Sequence, residues 1–397
     1  MLLMVKLLFY KYFVVWIPLN YLFRFLLVSK TLTLSVFVLS LSFLFLVDLR
    51  AQENLDKPDT VGVGGINWFA YPYVFFTPET NWAFGAGGVI SFKLSDKLKS
   101  KPSSITASGY YTINNQYDIT IQPEMYILED KFKIWSKINY GRAFDYFYGV
   151  GNNTPEIEND KYLQENISFQ IKIQPKLFDE RFNLGINYEF RRMNIVDKNS
   201  NPFLELETFP GSSGGTTTGL GLAISWDSRD NIFYPHTGGY YEFIGSNFLK
   251  LFGSDFSYNK YVLDFRRYFS VSENQIFAVQ TYLMFLRGDP PFYDLALLGG
   301  DKVMRGYLYG RYRDRIYYAT QAEYRMPNIF WRFGLVVFGG FGDVASKFAK
   351  ITLTTIKPTY GFGVRFRIDE LQKLDLRVDV GFGRNTHGIY FSVNQAF

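Results

Sequence analysis

A strict alternation of apolar and polar residues constrains this chain most. In residues 360–369, YGFGVRFRID, every even position is apolar and every odd position is glycine, arginine or aspartate. The same parity holds in residues 374–383, LDLRVDVGFG. Successive side chains of a β-strand point to opposite faces, so both segments are predicted to be strands with one apolar and one charged face. The charged faces carry Arg365, Arg367, Asp369, Asp375, Arg377 and Asp379.

About sixteen segments of this kind follow one another between residues 62 and 397. A soluble sandwich buries the apolar face, whereas a membrane barrel turns it toward lipid and encloses the charges, and alternation alone fits both. Three features favour the barrel: the even strand number, an aromatic content of 19%, and an apolar run near the start of the chain. The predicted fold class is therefore an all-β, transmembrane antiparallel β-barrel of about 16 strands.

The apolar run occupies residues 31–47 and follows Lys30. Together with the small residue Ala51 it is typical of a secretory leader, which places a signal segment at residues 1–51 and the barrel at 52–397. Cleavage after Ala51 and an uncleaved anchor both fit the sequence. In either case the chain is exported, and we expect it in the outer membrane of a Gram-negative bacterium, in contact with outer-membrane lipid.

Charge and composition exclude several other classes of protein. The formal net charge is +5, but the first 51 residues hold five Lys or Arg and one Asp, so about +1 remains for the rest (5 − 4). A net charge this close to zero does not predict a basic surface for binding nucleic acid. The chain has no cysteine and two histidines that are far apart, so neither a metal site nor a bound cofactor is predicted.

Enzymatic motifs are weak. Ser213 lies in GSSGG, which fits G-x-S-x-G, but the predicted strand-loop-strand context lacks the strand-to-helix turn that this motif needs. An outer-membrane phospholipase would need a lipid-facing Ser and His, and only His387 lies near a strand. We therefore expect no enzymatic activity and keep a phospholipase as a remote alternative.

Four motifs resemble one family. They are WDSRDNIFYPHTGGYY (226–241), GGDKVMRGYLYGRYRD (299–314), QAEYRMP (321–327) and FGGFGDV (338–344). In this order they resemble the BamA/TamA superfamily of outer-membrane barrels, also called bacterial surface antigens. The resemblance covers residues 216–397 well and the first half by strand pattern only.

The resemblance implies that residues 288–314 form a long extracellular loop folded into the lumen, with Arg305, Gly306 and Tyr307 at its tip. A buried arginine needs a carboxylate, and Glu323 on the following strand is its expected partner. The family's second carboxylate position holds Gly340 here, so Asp343 is the other candidate. Two interpretations stay open: Arg305 braces the wall, or it gates a substrate.

Other charges are expected to be structural. Asp227, Arg229 and Asp230 precede Pro235 and are predicted to pin a periplasmic hairpin. The charged faces of 360–369 and 374–383 are predicted to pair across neighbouring strands inside the lumen. The last strand is placed at 387–397, with Phe397 toward lipid.

The resemblance also implies a function. Members that insert barrels or export polypeptides carry periplasmic POTRA modules, for which residues 52–61 leave no room. We expect a barrel that assists outer-membrane protein insertion or polypeptide translocation, with client outer-membrane proteins and with periplasmic or lipoprotein partners. The alternative is a transport pore or a structural scaffold without a client.

Overall fold

The structure is a computed structural model that describes residues 66–77, 81–94, 101–370 and 373–397, and for residues 74–77, 81 and 369 the backbone only. The predicted leader, residues 1–51, lies outside these ranges. The described chain forms eighteen strands: β1 Ile66–Thr77, β2 Asn81–Phe92, β3 Ser103–Thr112, β4 Tyr117–Ile127, β5 Phe132–Tyr146, β6 Lys161–Pro175, β7 Phe182–Asp197, β8 Gly215–Asp227, β9 Gly238–Phe248, β10 Tyr258–Ser272, β11 Gln275–Gly288, β12 Ala296–Leu298, β13 Tyr312–Asp314, β14 Ile316–Phe330, β15 Phe333–Ala345, β16 Lys357–Asp369, β17 Leu374–Gly383 and β18 Thr386–Val393.

Sixteen of these strands form one antiparallel sheet in chain order, from β1 through β11 and then β14 to β18. The fold class predicted from the sequence is confirmed. The short strands β12 and β13 pair with each other inside the connection between β11 and β14. Between residues 66 and 397, no described helix is long and apolar enough to span a membrane.

The two faces of the sheet show which way the barrel is organised. On β16 the apolar Tyr360 and Phe362 are 60% and 53% exposed, whereas Arg365 beside them is 2% exposed. A soluble sandwich would bury the aromatic face and expose the arginines. The inverted arrangement fits a sheet whose outer face meets lipid and whose inner face encloses its charges.

The sheet curves until its two ends approach each other. Val89 of β2 shares a buried cluster with Leu374 and Leu376 of β17, and Phe233 from the β8–β9 loop belongs to the same cluster. The edge strands of the sheet are β1 and β18. The sheet is thus rolled into a barrel form whose first and last strands are not paired with each other in the described residues.

The connections differ between the two ends of the barrel. One end has the long loops 147–160, 198–214, 289–315 and 346–356, while at the other end several strands are joined by turns of a few residues. Barrels of this kind have long extracellular loops and short periplasmic turns, which sets the orientation. The long loops pack on one another through aromatic rings, with Phe292 4.5 Å from Phe147 between ring centroids.

Candidate functional site in the lumen

The long loop between β11 and β14 folds into the barrel and presses its tip against the inner wall. Gly306 lies at the tip with φ +105°, a conformation that favours glycine. A Cβ at Gly306 would lie 2.5 Å from the backbone of Phe382, and one at Gly381 would lie 2.7 Å from the backbone of Arg305. Two glycines therefore allow the loop and β17 to meet backbone to backbone.

Arg305 is fully buried at this contact and bridges two strands of the wall. Its guanidinium lies 2.5 Å from Glu323 Oε1 on β14 and 2.5 Å from Asp379 Oδ2 on β17. The guanidinium carbon also lies 3.6 Å from the centroid of the Phe338 ring on β15. A planar cation with several donors can satisfy two carboxylates and stack on a ring at once, which a lysine cannot do.

Tyr307 anchors the other side of the tip. Its hydroxyl donates to the carbonyl of Pro358 at 2.8 Å and accepts from the backbone N–H of Arg384 at 2.8 Å. The Gly306 N–H in turn donates to the hydroxyl of Tyr390 on β18 at 2.8 Å. The tip therefore contacts β16, β18 and the turn before β18 by hydrogen bonds, in addition to the ion pairs on β14 and β17.

The same carboxylates extend the network toward the periplasmic end. Glu323 accepts from Arg325 at 2.8 Å, and Asp379 accepts from Arg365 at 2.6 Å and from Arg377 at 3.3 Å. We call the set Arg305, Glu323, Arg325, Arg365, Arg377 and Asp379 the clamp. All six side chains are at most 2% exposed, so removing one partner would leave a buried charge unpaired.

Asp343, the second carboxylate expected from the sequence, does not contact Arg305. It lies near the extracellular end of β15, where it pairs with Lys357 at 3.4 Å and accepts from Asn152 and Thr355 of two extracellular loops. The expectation is wrong because the β15 residue at the family's second carboxylate position is Gly340, which has no side chain to bind Arg305. The loop tip therefore reaches Asp379, two strands further on.

The last residue of β8 and the hairpin residues after it form a compact network. Arg229 donates to both carboxylate oxygens of Asp227, at 2.9 and 3.1 Å, and Asp227 also accepts from Lys101 at 2.9 Å. Asp230 accepts from the backbone N–H groups of His236 and Thr237. Burial lowers the pKa of His236, and the nearby Lys373 lowers that pKa further. The arrangement holds the loop in place and links it to the β2–β3 connection.

The remaining predicted charges also lie on the inner face. Arg367 pairs with Asp375, and Arg377 reaches Asp301 of the lumenal loop at 2.9 Å. The side chain of Asp369 is not among those described. The structure therefore places five of the six predicted side chains on the inner face of the sheet, while their function stays a prediction.

The end of the chain differs from the sequence expectation. β18 ends at Val393, and the next four residues turn inward, so Phe397 is 5% exposed rather than facing lipid. Its ring lies 5.1 Å from the guanidinium carbon of Arg325, which donates to the Phe397 backbone oxygen at 2.8 Å. The side-chain amide of Gln395 accepts a hydrogen bond from Arg365 at 2.9 Å and donates one to Asp375 at 2.7 Å. Sequence alternation had no means of showing this turn.

The two candidate enzymatic residues lie apart from the clamp. Ser213 lies in the β7–β8 loop and donates to Glu207 at 2.7 Å. His387 is exposed on β18, opposite Phe382 of β17. Within the described ranges, no group of three His, Cys, Asp or Glu side chains could hold a metal ion.

A sixteen-stranded barrel-type sheet with a loop clamped inside it defines a class of membrane barrels, and comparison with known proteins agrees. Residues 83–397 match the model of the Omp85 superfamily domain, so the chain belongs to the Omp85 superfamily. No curated protein sequence matches it.

Two solved structures share the fold. BamA from Haemophilus ducreyi lacking POTRA domains 1–3 is similar with a TM-score of 0.50 and 14% identity, over 83% of this chain and 68% of that one. CdiB from Acinetobacter baumannii is similar with a TM-score of 0.53 and 10% identity, over 83% of this chain and 59% of that one. At these identities the likeness concerns the fold.

Proposed function

We propose that this protein assists the insertion of polypeptides into the outer membrane of a Gram-negative bacterium, and that its clients engage the edge strands of the sheet. The observation that carries the proposal is the sheet order, in which β1 and β18 are edges rather than partners. An edge strand presents unpaired N–H and C=O groups that can pair with a strand of another chain. Client outer-membrane proteins are the partners that such an edge suits.

The lumen supports this route over passage through the barrel. The inward loop is attached to β14, β16, β17 and β18 by buried ion pairs and hydrogen bonds around Arg305 and Tyr307. A polypeptide crossing the lumen would have to displace these contacts. A client at the edge would leave them intact, and periplasmic or lipoprotein partners would then deliver it. No enzymatic step is part of the proposal.

The experiment uses the absence of cysteine from the chain. Ala70→Cys places a thiol on edge strand β1, and Ala322→Cys places one on β14, which is paired on both sides with β11 and β15. We expect the β1 thiol to form disulfides in cells with a client that carries a cysteine in its terminal strand. Ala322→Cys is expected to form none.

Equal crosslinking at both positions would mean random contact in the membrane and would contradict the proposal. No adduct at Ala70→Cys and none at a second edge position, Ser392→Cys on β18, would exclude a client at either edge. The transport pore then becomes the better description, and deletion of the lumenal loop tests it directly.

A further inference from the structure

On the outward faces of β5 and β7, the row of apolar side chains is followed by an arginine near the extracellular end of each strand. On β5, Arg142 follows Ile138 and Tyr140 on the outward face, and on β7, Arg192 follows Tyr188 and Phe190. Each arginine is ten residues beyond the phenylalanine that opens its strand at the periplasmic end. Ten residues span about 33 Å along a strand, or about 25 Å across the membrane at the usual tilt, which matches the height of the apolar band. Both guanidiniums therefore lie at the level of the outer-leaflet headgroups.

Arg142 has a carboxylate as its register partner but does not pair with it. Glu165 of β6 lies opposite Arg142, yet it accepts from the hydroxyls of Tyr117 and Tyr140 at 3.2 and 2.9 Å. The two tyrosine rings lie 5.4 Å apart and their hydroxyls are 2.9 Å apart. With the carboxylate engaged by the tyrosines, the half-buried Arg142 has no acceptor among the described residues.

Arg192 of β7 is exposed. It lies two residues before Asn194, which is the β7 residue paired in register with Glu165 of β6. Two strand spacings and a two-residue offset place the Cα atoms of Arg142 and Arg192 about 12 Å apart. Arg192 likewise has no acceptor among the described side chains.

We propose that the outward faces of β5, β6 and β7 bind the phosphate groups of an outer-leaflet lipid, with Arg142 and Arg192 as the ligating cations. Charge complementarity selects the occupant. At this depth the outer surface of the barrel is covered by lipid, and phosphate is the lipid group that guanidinium forks bind bidentately. Two arginines about 12 Å apart suit a headgroup with two phosphates better than one with a single phosphate. The site would fix the barrel's position among outer-leaflet lipids, independently of how clients reach the edge strands.

The test compares lipid retention by the full chain and its variants. The protein is equilibrated with a mixture of diphosphoryl lipid A, dephosphorylated lipid A and phosphatidylcholine, and the lipids that remain bound are counted by native mass spectrometry. The variants are Arg142→Gln/Arg192→Gln and, as a matched control, Arg287→Gln. Arg287 is an exposed arginine on the outward face of β11, also near the extracellular end. Heat-modifiable mobility on gels shows that each variant is folded.

We expect the wild type to retain diphosphoryl lipid A, and the double variant to retain about tenfold less or lower, because each 1.4 kcal/mol of lost binding is a factor of ten. Arg287→Gln should differ from the wild type by less than about twofold on the same scale. Equal retention by the double variant and the wild type would overturn the site. Equal binding of the dephosphorylated lipid would also overturn it. Displacement of the lipid by inorganic phosphate would show a small-anion site and overturn the assignment to lipid.

Discussion

The two walls of the lumen neutralise their charges in different ways. On the wall formed by β14 to β17, four arginines share Glu323 and Asp379, and one of those arginines comes from the loop. On the facing wall, formed by β4 to β10, each cation pairs with a single carboxylate, and three of the pairs join a lysine to a glutamate: Lys133 with Glu124, Lys172 with Glu242 and Lys260 with Glu189. Arg266 and Asp264, both on β10, form a further single pair. The lysine side chains of these pairs are 7–12% exposed, whereas Arg305 and its partners are 0% exposed.

The difference follows from the chemistry of the two cations. A guanidinium has five donors in a plane, so Arg305 can bind two carboxylates from strands that are not neighbours. An ammonium is a compact, strongly hydrated charge that suits a partly wetted pair. The arginine wall therefore holds the tip of the loop, while the three lysine pairs tie strands of the facing wall together. The facing wall meets the loop nearer its start, where Arg191 of β7 pairs with Asp294 at 3.0 Å.

The largest effect is expected from removing the loop itself. Deletion of residues 289–312 takes away Arg305 and Tyr307 and leaves a sixteen-stranded lumen without its plug. Barrels of that strand number leave an aqueous channel, so conductance in planar bilayers should rise severalfold. Unchanged conductance in a variant that keeps its heat-modifiable mobility would show that the loop does not close the lumen.

A smaller but still large effect is expected from Arg305→Ala. Loss of this residue leaves two buried carboxylates short of a partner, and we expect a loss of about 3–5 kcal/mol in the free energy of unfolding, measured by urea titration in lipid vesicles. Lys172→Ala on the facing wall should cost about 1–3 kcal/mol, because Glu242 keeps the hydroxyl of Tyr240 at 2.8 Å. Equal losses would mean that the two walls do not differ in kind.

A double-mutant cycle separates the partner found in the structure from the one expected from the sequence. Arg305→Ala combined with Asp379→Ala should show a coupling energy of about 2 kcal/mol, since the two groups are in contact. Arg305→Ala combined with Asp343→Ala should be additive within about 0.5 kcal/mol. Coupling to Asp343 and none to Asp379 would contradict the geometry of the clamp.

The sequence predicted much of this wall, and its failures have physical causes. Alternation placed the strands and the inner faces of β16 and β17 correctly, because period two depends only on the pleat. It also placed Glu323 on the inner face of β14. It did not show which strand lies beneath the loop tip, since that depends on the height of the tip and on the absence of side chains at Gly340 and Gly342. A Cβ at Gly342 would lie 3.0 Å from the sulfur of Met304, so this part of β15 gives the tip room rather than a ligand.

Outside the regular strands the same reasoning fails. The strands β12 and β13, three residues each, were not predicted because they are too short for a pattern to appear. The last strand was expected to continue to Phe397, yet parity has no meaning beyond Val393, where the strand ends. The following residues are held by Arg325, Arg365 and Asp375, which lie on β14, β16 and β17 and are far from them in sequence.

The smallest expected effect concerns Gln395 in that final turn. Gln395 hydrogen-bonds two charged groups of the arginine wall, Arg365 and Asp375, and Gln395→Ala should cost about 1 kcal/mol in the free energy of unfolding. The matched control is Gln170→Ala on the facing wall, where the amide donates to the neutral Asn187 at 3.0 Å. There we expect about 0.5 kcal/mol, because a neutral pair is weaker and water replaces it more readily. A larger loss at Gln170 than at Gln395 in the same urea titration would mean that the arginine wall does not stabilise the inward turn. The contrast between the two walls would then hold for the strands and not for the residues after Val393.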